Sequence, residues 1–158
     1  MNQEYFHSLR RLAVFAGMSD HSLHMLVFNA QLIERAPHAS FYEEGQQGDC
    51  FYVLLEGAVE LSLPSPRGNV LLTRMYEGDC FGEMSLLDLM PRSTNATAIN
   101  DSFALEIDRK SLHSLFNHDL EQYAIIMMNM GREVSRRMRV TEKRVIERAK
   151  PAPYINMT

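Results

Sequence analysis

Between residues 31 and 108 the chain is broken by Pro or Gly roughly every 8–12 residues, a spacing that leaves room for strands rather than helices. The breaks are Pro37, Gly45, Gly48, Gly57, Pro64, Pro66, Gly68, Gly78 and Pro91. The segments between them are short and apolar. Strands are expected over residues 31–36, 41–43, 50–55, 58–63, 69–76, 94–99 and 103–107. Many short strands at such spacing mean a sandwich or a barrel. Residues 58–63, Ala-Val-Glu-Leu-Ser-Leu, alternate with period two, as a half-buried strand does. Gly57 and Gly78 fall between strands, where a turn often needs positive φ.

Helical patterns flank this β region, so the expected class is mainly β with flanking helices. Within residues 1–30, Leu9, Leu12, Val14 and Phe15 carry one apolar face, which Ala16-Gly17 breaks. Ser19 or Asp20 then caps a second helix bearing Leu23, Met25, Leu26 and Phe28. After the strands, a short helix is expected over 109–116. A long one starts at His118 or Asp119 and runs to Lys150, where Pro151 stops it. The division is therefore 1–30 helical, 31–117 β, 118–150 long helix and 151–158 irregular tail.

Composition narrows the class. A chain of 158 residues suits one domain and can bury roughly 68–70% of its unfolded surface, so it needs no disulfide or metal staple. The net charge of −4 argues against bulk affinity for DNA or anionic lipid. No apolar run approaches the ~20 residues of a membrane span, and the start lacks the order of a signal peptide. Cys50 and Cys80 are too few for a disulfide scaffold. They are expected to be reduced, half-buried thiols in a cytoplasmic protein, although a single bridge between them is open.

The long helix carries Leu120, Ala124, Met127, Gly131, Val134, Met138, Thr141 and Val145 at alternating spacings of 4 and 3. That is a heptad seam. Tyr123, Ile126 and Met130 occupy a neighbouring face suited to packing on the β body. Two apolar faces imply two burial partners, so a parallel homodimer through Met127, Val134, Met138, Thr141 and Val145 is expected. The alternative is one wide stripe packed within the chain. Residues 119–150 carry a charge of +3 and the remainder −7. Intrahelical pairs such as Glu133–Arg137 would explain the charged face, and attraction of an anion is the other reading.

The densest chemical signal is Phe81-Gly82-Glu83-Met84-Ser85-Leu86-Leu87, followed by Pro91-Arg92-Ser93-Thr94. Gly82 lets backbone approach a ligand closely. Residues 83–87 can make one helical turn whose free N–H groups face an anion. Arg92 offers a planar fork of donors for phosphate, and Ser93 adds a hydroxyl. Ionised Glu83 only accepts hydrogen bonds, which suits sugar hydroxyls. A sugar phosphate with one negative charge fits that set.

This segment resembles the phosphate-binding cassette of the cyclic nucleotide-binding domain family. Gly45-Gln-Gln-Gly48-Asp49 with Phe51-Tyr-Val-Leu-Leu-Glu-Gly57 is similar to that family's first glycine loop and next strand, and Tyr76-Glu-Gly78-Asp79 to the approach to the cassette. The stretch from Leu9 to Ser19 is similar to its N-terminal helical piece, so the likeness covers residues 9–145. The resemblance implies an eight-stranded β-roll (jelly roll) with a long C-terminal dimerisation helix, binding cyclic AMP or cyclic GMP. It implies that Glu83 holds the ribose, while Arg92, Ser93 and Gly82 hold the cyclic phosphate, with Ser85 and Thr94 as further contacts. Arg136-Arg137-Met138-Arg139-Val140-Thr141 matches the stretch in which transcription-factor members place a base-contacting threonine, which makes Thr141 the candidate for the base. The next residue, Glu142, stands where those members carry a serine that reaches across the dimer.

The function expected is a cyclic nucleotide sensor or regulatory domain that signals through its C-terminal helix to an unidentified effector protein. It is not expected to be an enzyme, to bind DNA directly, to insert in a membrane, or to hold a metal or other cofactor. The last 10 or so residues are too few for a helix-turn-helix. Metal-dependent catalysis on a β-roll would need clustered histidines. His7, His21, His24, His38, His113 and His118 offer no His-x-His pair on a strand. Two rival binding readings are a dimeric interaction module that takes no nucleotide and a receptor for cyclic di-GMP.

Overall fold

The computed structural model describes residues 3–148, with side chains from 6 to 147. Helix α1 (Gln3–Leu9), a 3-10 turn (Ala13–Phe15) and α2 (Asp20–Val27) precede β1 (Gln31–Arg35), β2 (Ser40–Tyr42), β3 (Cys50–Glu56), β4 (Ala58–Leu63), β5 (Val70–Tyr76) and β6 (Cys80–Phe81). Then come α3 (Met84–Leu87), β7 (Asn95–Ala98), β8 (Ser102–Asp108), α4 (Arg109–His118) and α5 (Leu120–Arg148). The strands form two four-stranded antiparallel sheets, ordered β1-β8-β3-β6 and β2-β7-β4-β5. This is the expected β-roll of eight strands. The eighth, β6, has only two residues, too short for any periodicity to announce it.

Two apolar cores follow from this layering. One fills the roll, with Phe41, Tyr42, Tyr52, Leu54, Val59, Leu61 and Phe81. The other lies between the first sheet and the helices and contains Leu9, Phe15, Leu23, Leu26, Leu115, Ile126 and Met130. Strand β3 serves both. Cys50, Tyr52 and Leu54 point into the roll, and Phe51 and Val53 into the helical layer. That double burial is why its sequence is a continuous apolar run.

Several expectations are corrected. The first helix stops at Leu9, and Val14 and Phe15 sit in a separate turn. In one continuous helix Leu9 and Val14 would lie about 140° apart, whereas the break lets Leu9, Val14 and Phe15 enter the same core. Phe28, expected within the second helix, is its C-terminal cap and is 84% exposed. The thiols are fully buried and unbridged, Cys50 in the roll and Cys80 in the helical core. Ser19 does cap α2, accepting from Ser22 N at 3.1 Å. Gly57 and Gly78 do adopt positive φ, at 93° and 90°. The expected helix end at Lys150 before Pro151, and the tail 151–158, lie outside the described residues.

The polar ends of the helices are met by side chains. Asp108 caps α4 by accepting from Ser111 N at 2.8 Å. Asp119 precedes α5 and accepts from Gln122 N at 3.2 Å and from the Ser22 hydroxyl at 3.2 Å. No helix among the described residues is long and apolar enough to cross a membrane.

Candidate functional site

A cavity of about 230 Å³ lies between the roll and the second half of α5. Gly82, Glu83, Met84, Ser85, Arg92, Ser93 and Thr94 line one side, and Val134, Arg137, Met138 and Thr141 the other. Tyr42, Leu61, Leu72 and Thr73 complete it. The seven residues picked out from sequence for phosphate, ribose and base (Gly82, Glu83, Ser85, Arg92, Ser93, Thr94 and Thr141) thus surround one space.

Arg92 is drawn inward and is 4% exposed. Its Nη1 donates to Cys50 O at 2.9 Å and to Gly82 O at 2.5 Å, and its Nη2 to Cys50 Sγ at 3.2 Å. Its guanidinium carbon lies 4.4 Å from the centre of the Tyr42 ring. Nε has no hydrogen-bond partner among the described residues. A guanidinium has five N–H donors, so Nε–H and one Nη2–H remain free on one edge of the fork. Two parallel donors on one edge suit two oxygens of a phosphate.

Gly82 makes this possible. At φ 80° it sits where a side chain is strained, and a Cβ there would lie 2.7 Å from Arg92 Nη1. The missing side chain makes room for the arginine. Gly48 does the same from the opposite loop, where a Cβ would meet Ser85 Cβ at 2.6 Å and Arg92 Nε at 2.9 Å.

Glu83 is fully buried, and its Oε1 is ion-paired with Arg137 of α5. Its Oε2 has no hydrogen-bond partner among the described residues. A buried polar atom left unpaired costs about 1–3 kcal/mol, so it marks a position built for a donor. Arg137 also donates from Nη1 to Cys80 O at 2.8 Å. The intrahelical pair Glu133–Arg137 does not form. Glu133 pairs with Arg136 at 2.9 Å instead, which leaves Arg137 to face the roll.

The remaining candidates are looser. Ser85 is buried beneath Gly48, whereas Ser93 is exposed with its hydroxyl 3.7 Å from Met84 Sδ. Thr141 lies at the rim and donates its hydroxyl to Arg137 O at 3.1 Å. Of the proposed seam, Met138 and Val145 are exposed, but Met127 packs on the helical core and Val134 on the cavity. Met138 also lines the cavity, and the exposed Met128 lies on another face of α5.

Sequence reading missed Tyr42 and Arg137. Arg137 could have been found, since it lies one turn from both Val134 and Thr141 on an otherwise apolar inward face. Tyr42 carries no periodic signal. Burial shapes the titration around the site. It raises the Tyr42 hydroxyl above the usual tyrosine value, although the Thr94 side chain and the Arg92 charge partly oppose it. Burial raises the Cys50 thiol as well. It pushes the Cys80 thiol up to about 12 despite the nearby Arg137. No three His, Cys, Asp or Glu side chains gather as a metal site among the described residues.

A family model described as the cyclic nucleotide-binding domain matches residues 33–119. The CRP-like cAMP-activated global transcriptional regulator of Mycobacterium tuberculosis is 30% identical over 140 residues, or 88% of this chain. The match spans 61% of that relative's length. Among solved structures, a cyclic nucleotide-binding domain from Methylobacillus flagellatus has a TM-score of 0.82 at 21% identity, over 95% of this chain and 87% of that one. The N-terminal domain of a Streptomyces coelicolor transcriptional regulator has a TM-score of 0.68 at 30% identity, over 85% of this chain and 94% of that one.

Proposed function

The chain belongs to the cyclic nucleotide-binding domain family, and we propose that it is a sensor that takes cyclic AMP or cyclic GMP in the cavity between roll and α5. One observation carries this reading. Two buried and unpaired atoms of opposite character, Glu83 Oε2 and Arg92 Nε, belong to residues lining the same cavity. A ligand with a hydroxyl donor beside an anion would pair both.

In this reading the free edge of Arg92 holds the cyclic phosphate, with Ser93 and the Gly82 backbone beside it and Ser85 and Thr94 as further contacts. Glu83 Oε2 accepts from the ribose 2′-hydroxyl. Thr141 meets the base. Its hydroxyl proton is given to Arg137 O, so its oxygen is left to accept from a base amino group, which adenine and guanine both carry. The Mycobacterium tuberculosis relative is described as cAMP-activated, which favours cyclic AMP as the first ligand to try.

Signalling follows from the place of Arg137. It joins α5 to Glu83, so a hydroxyl on the same carboxylate changes what holds the helix to the roll. Ligand then shifts the balance between two positions of α5 by its differential affinity for them. Among the described residues, 3–30 and 118–148 are the helical attachments of a roll over 31–117. The exposed apolar residues Met138 and Val145 of α5 pair two copies of the chain, and an effector protein reads the change. The chemistry is binding rather than catalysis.

Calorimetry with cyclic AMP, cyclic GMP and cyclic di-GMP tests the reading. Heat with a cyclic mononucleotide is expected, and Arg92→Ala should weaken the binding free energy by about 1.5–3 kcal/mol. No heat with any of the three leaves a dimeric module without a ligand. Sedimentation should show twice the chain mass, reduced to one in the Met138→Glu, Val145→Glu double variant.

A further inference from the structure

Phe41 and Tyr42 are consecutive residues of β2, yet both are buried in the roll. A regular strand sends consecutive side chains to opposite faces. Here the pairing of β2 with β7 shifts register between Ser40 and Tyr42, and such a bulge re-aims the side chains beside it. The shift lets Tyr42 turn inward with Phe41, and its ring lies against the guanidinium of Arg92.

We infer that Tyr42 is a positioning residue that fixes the plane in which Arg92 meets the phosphate. The inference rests on the cyclic nucleotide reading above. The hydrogen bonds to Cys50 O, Gly82 O and Cys50 Sγ hold Nη1 and Nη2, but none of them holds the face of the fork. The face is set by the Tyr42 ring at 4.4 Å, with Tyr52 further off at 5.9 Å. A cation over a buried aromatic face is strongly held, and a planar guanidinium keeps one orientation there. Tyr42 thus keeps the Nε and Nη2 edge pointed at the ligand before the ligand arrives.

The test uses cyclic AMP and its two phosphorothioate diastereomers, in which sulfur replaces one or the other exocyclic oxygen. Tyr42→Leu should weaken cyclic AMP binding about 5–30-fold and bring the affinity ratio of the two diastereomers towards one. Tyr42→Phe keeps the ring and should stay within about twofold of wild type with an unchanged ratio. A general weakening of the fold would lower both diastereomers alike and leave their ratio intact, and that outcome overturns the inference. Should Tyr42→Leu not fold, phenylalanines of increasing fluorination at position 42 keep the shape while draining charge from the ring face. Affinity should then fall stepwise, and a flat series overturns the inference. A wild-type chain that binds none of the three ligands overturns the cyclic nucleotide reading and this inference together. A wild type that binds, with Tyr42→Leu unchanged, overturns this inference alone.

Discussion

The two halves of α5 hold the molecule by different means. Residues 120–130 are bedded in the helical core through Ile126 and Met130, both 0% exposed. Asn129 adds hydrogen bonds to Val14 O and Ala16 O at 3.0 and 2.8 Å, and Gln122 accepts from Ser19 N at 2.7 Å. Beyond Gly131 the polar ties to the roll come from arginines. Arg137 reaches Glu83 and Cys80 O, and Arg144 reaches Leu72 O at 2.6 Å. In the proposed reading a small ligand competes for the ion pair and not for the apolar burial, which makes the first half an anchor and the second a latch whose main contact faces the cavity.

The contrast can be broken at either end. The largest effect should come from Ile126→Ala, which leaves a cavity in the anchor and should cost about 2–5 kcal/mol in urea unfolding. If cyclic AMP affinity at a temperature where the variant is folded fell as much as stability did, the division into anchor and latch would be wrong. Arg137→Met strands the buried Glu83 carboxylate and should cost about 3 kcal/mol. In a Glu83→Gln background the same change should cost much less, and equal costs would show that the pair is not coupled.

Alkaline pH probes the ground between the two halves, because Cys80 sits under Arg137. Its thiol is raised from the ordinary 9.0 to about 12, mainly by burial. The unfolded chain therefore loses this proton first as pH rises, and binds fewer protons than the folded one. Stability is full below pH 9.0 and declines as pH rises towards 12, by at most about 1.4 kcal/mol per pH unit for this group. Cys80→Ala should flatten that decline in denaturant titrations between pH 8 and 10.5. The smallest effect belongs to the outer end of the latch. Arg144→Ala removes one exposed hydrogen bond and should change stability by under about 1 kcal/mol.

Much of this architecture was legible because the signals were local. Pro and Gly breaks placed seven strands within a residue or two, and Ser19 announced α2 through its own side chain. The candidate ligand residues were legible because most of them lie in the 13 residues from Gly82 to Thr94. What escaped depends on contacts between distant segments. The partner of Glu83 lies on α5, more than 50 positions away. Tyr42 is turned inward by a bulge that exists only once β2 meets β7. The surroundings of the α5 seam are hidden from sequence for a related reason. A heptad pattern identifies apolar positions, but the roll and the helical core decide which of them, Met127 and Val134 among them, are already taken.

Strand β3 has a consequence for how the molecule melts. Because its alternate residues are shared between two cores, neither core can come apart while the other keeps its packing. Withdrawing Phe51 and Val53 from the helices also withdraws Cys50, Tyr52 and Leu54 from the roll. Roll and helices should therefore unfold as one cooperative unit, seen as a single calorimetric peak whose van't Hoff and measured enthalpies agree. Slowly exchanging amides should centre on β3 and its partner β8, the strand against which most of its length is paired.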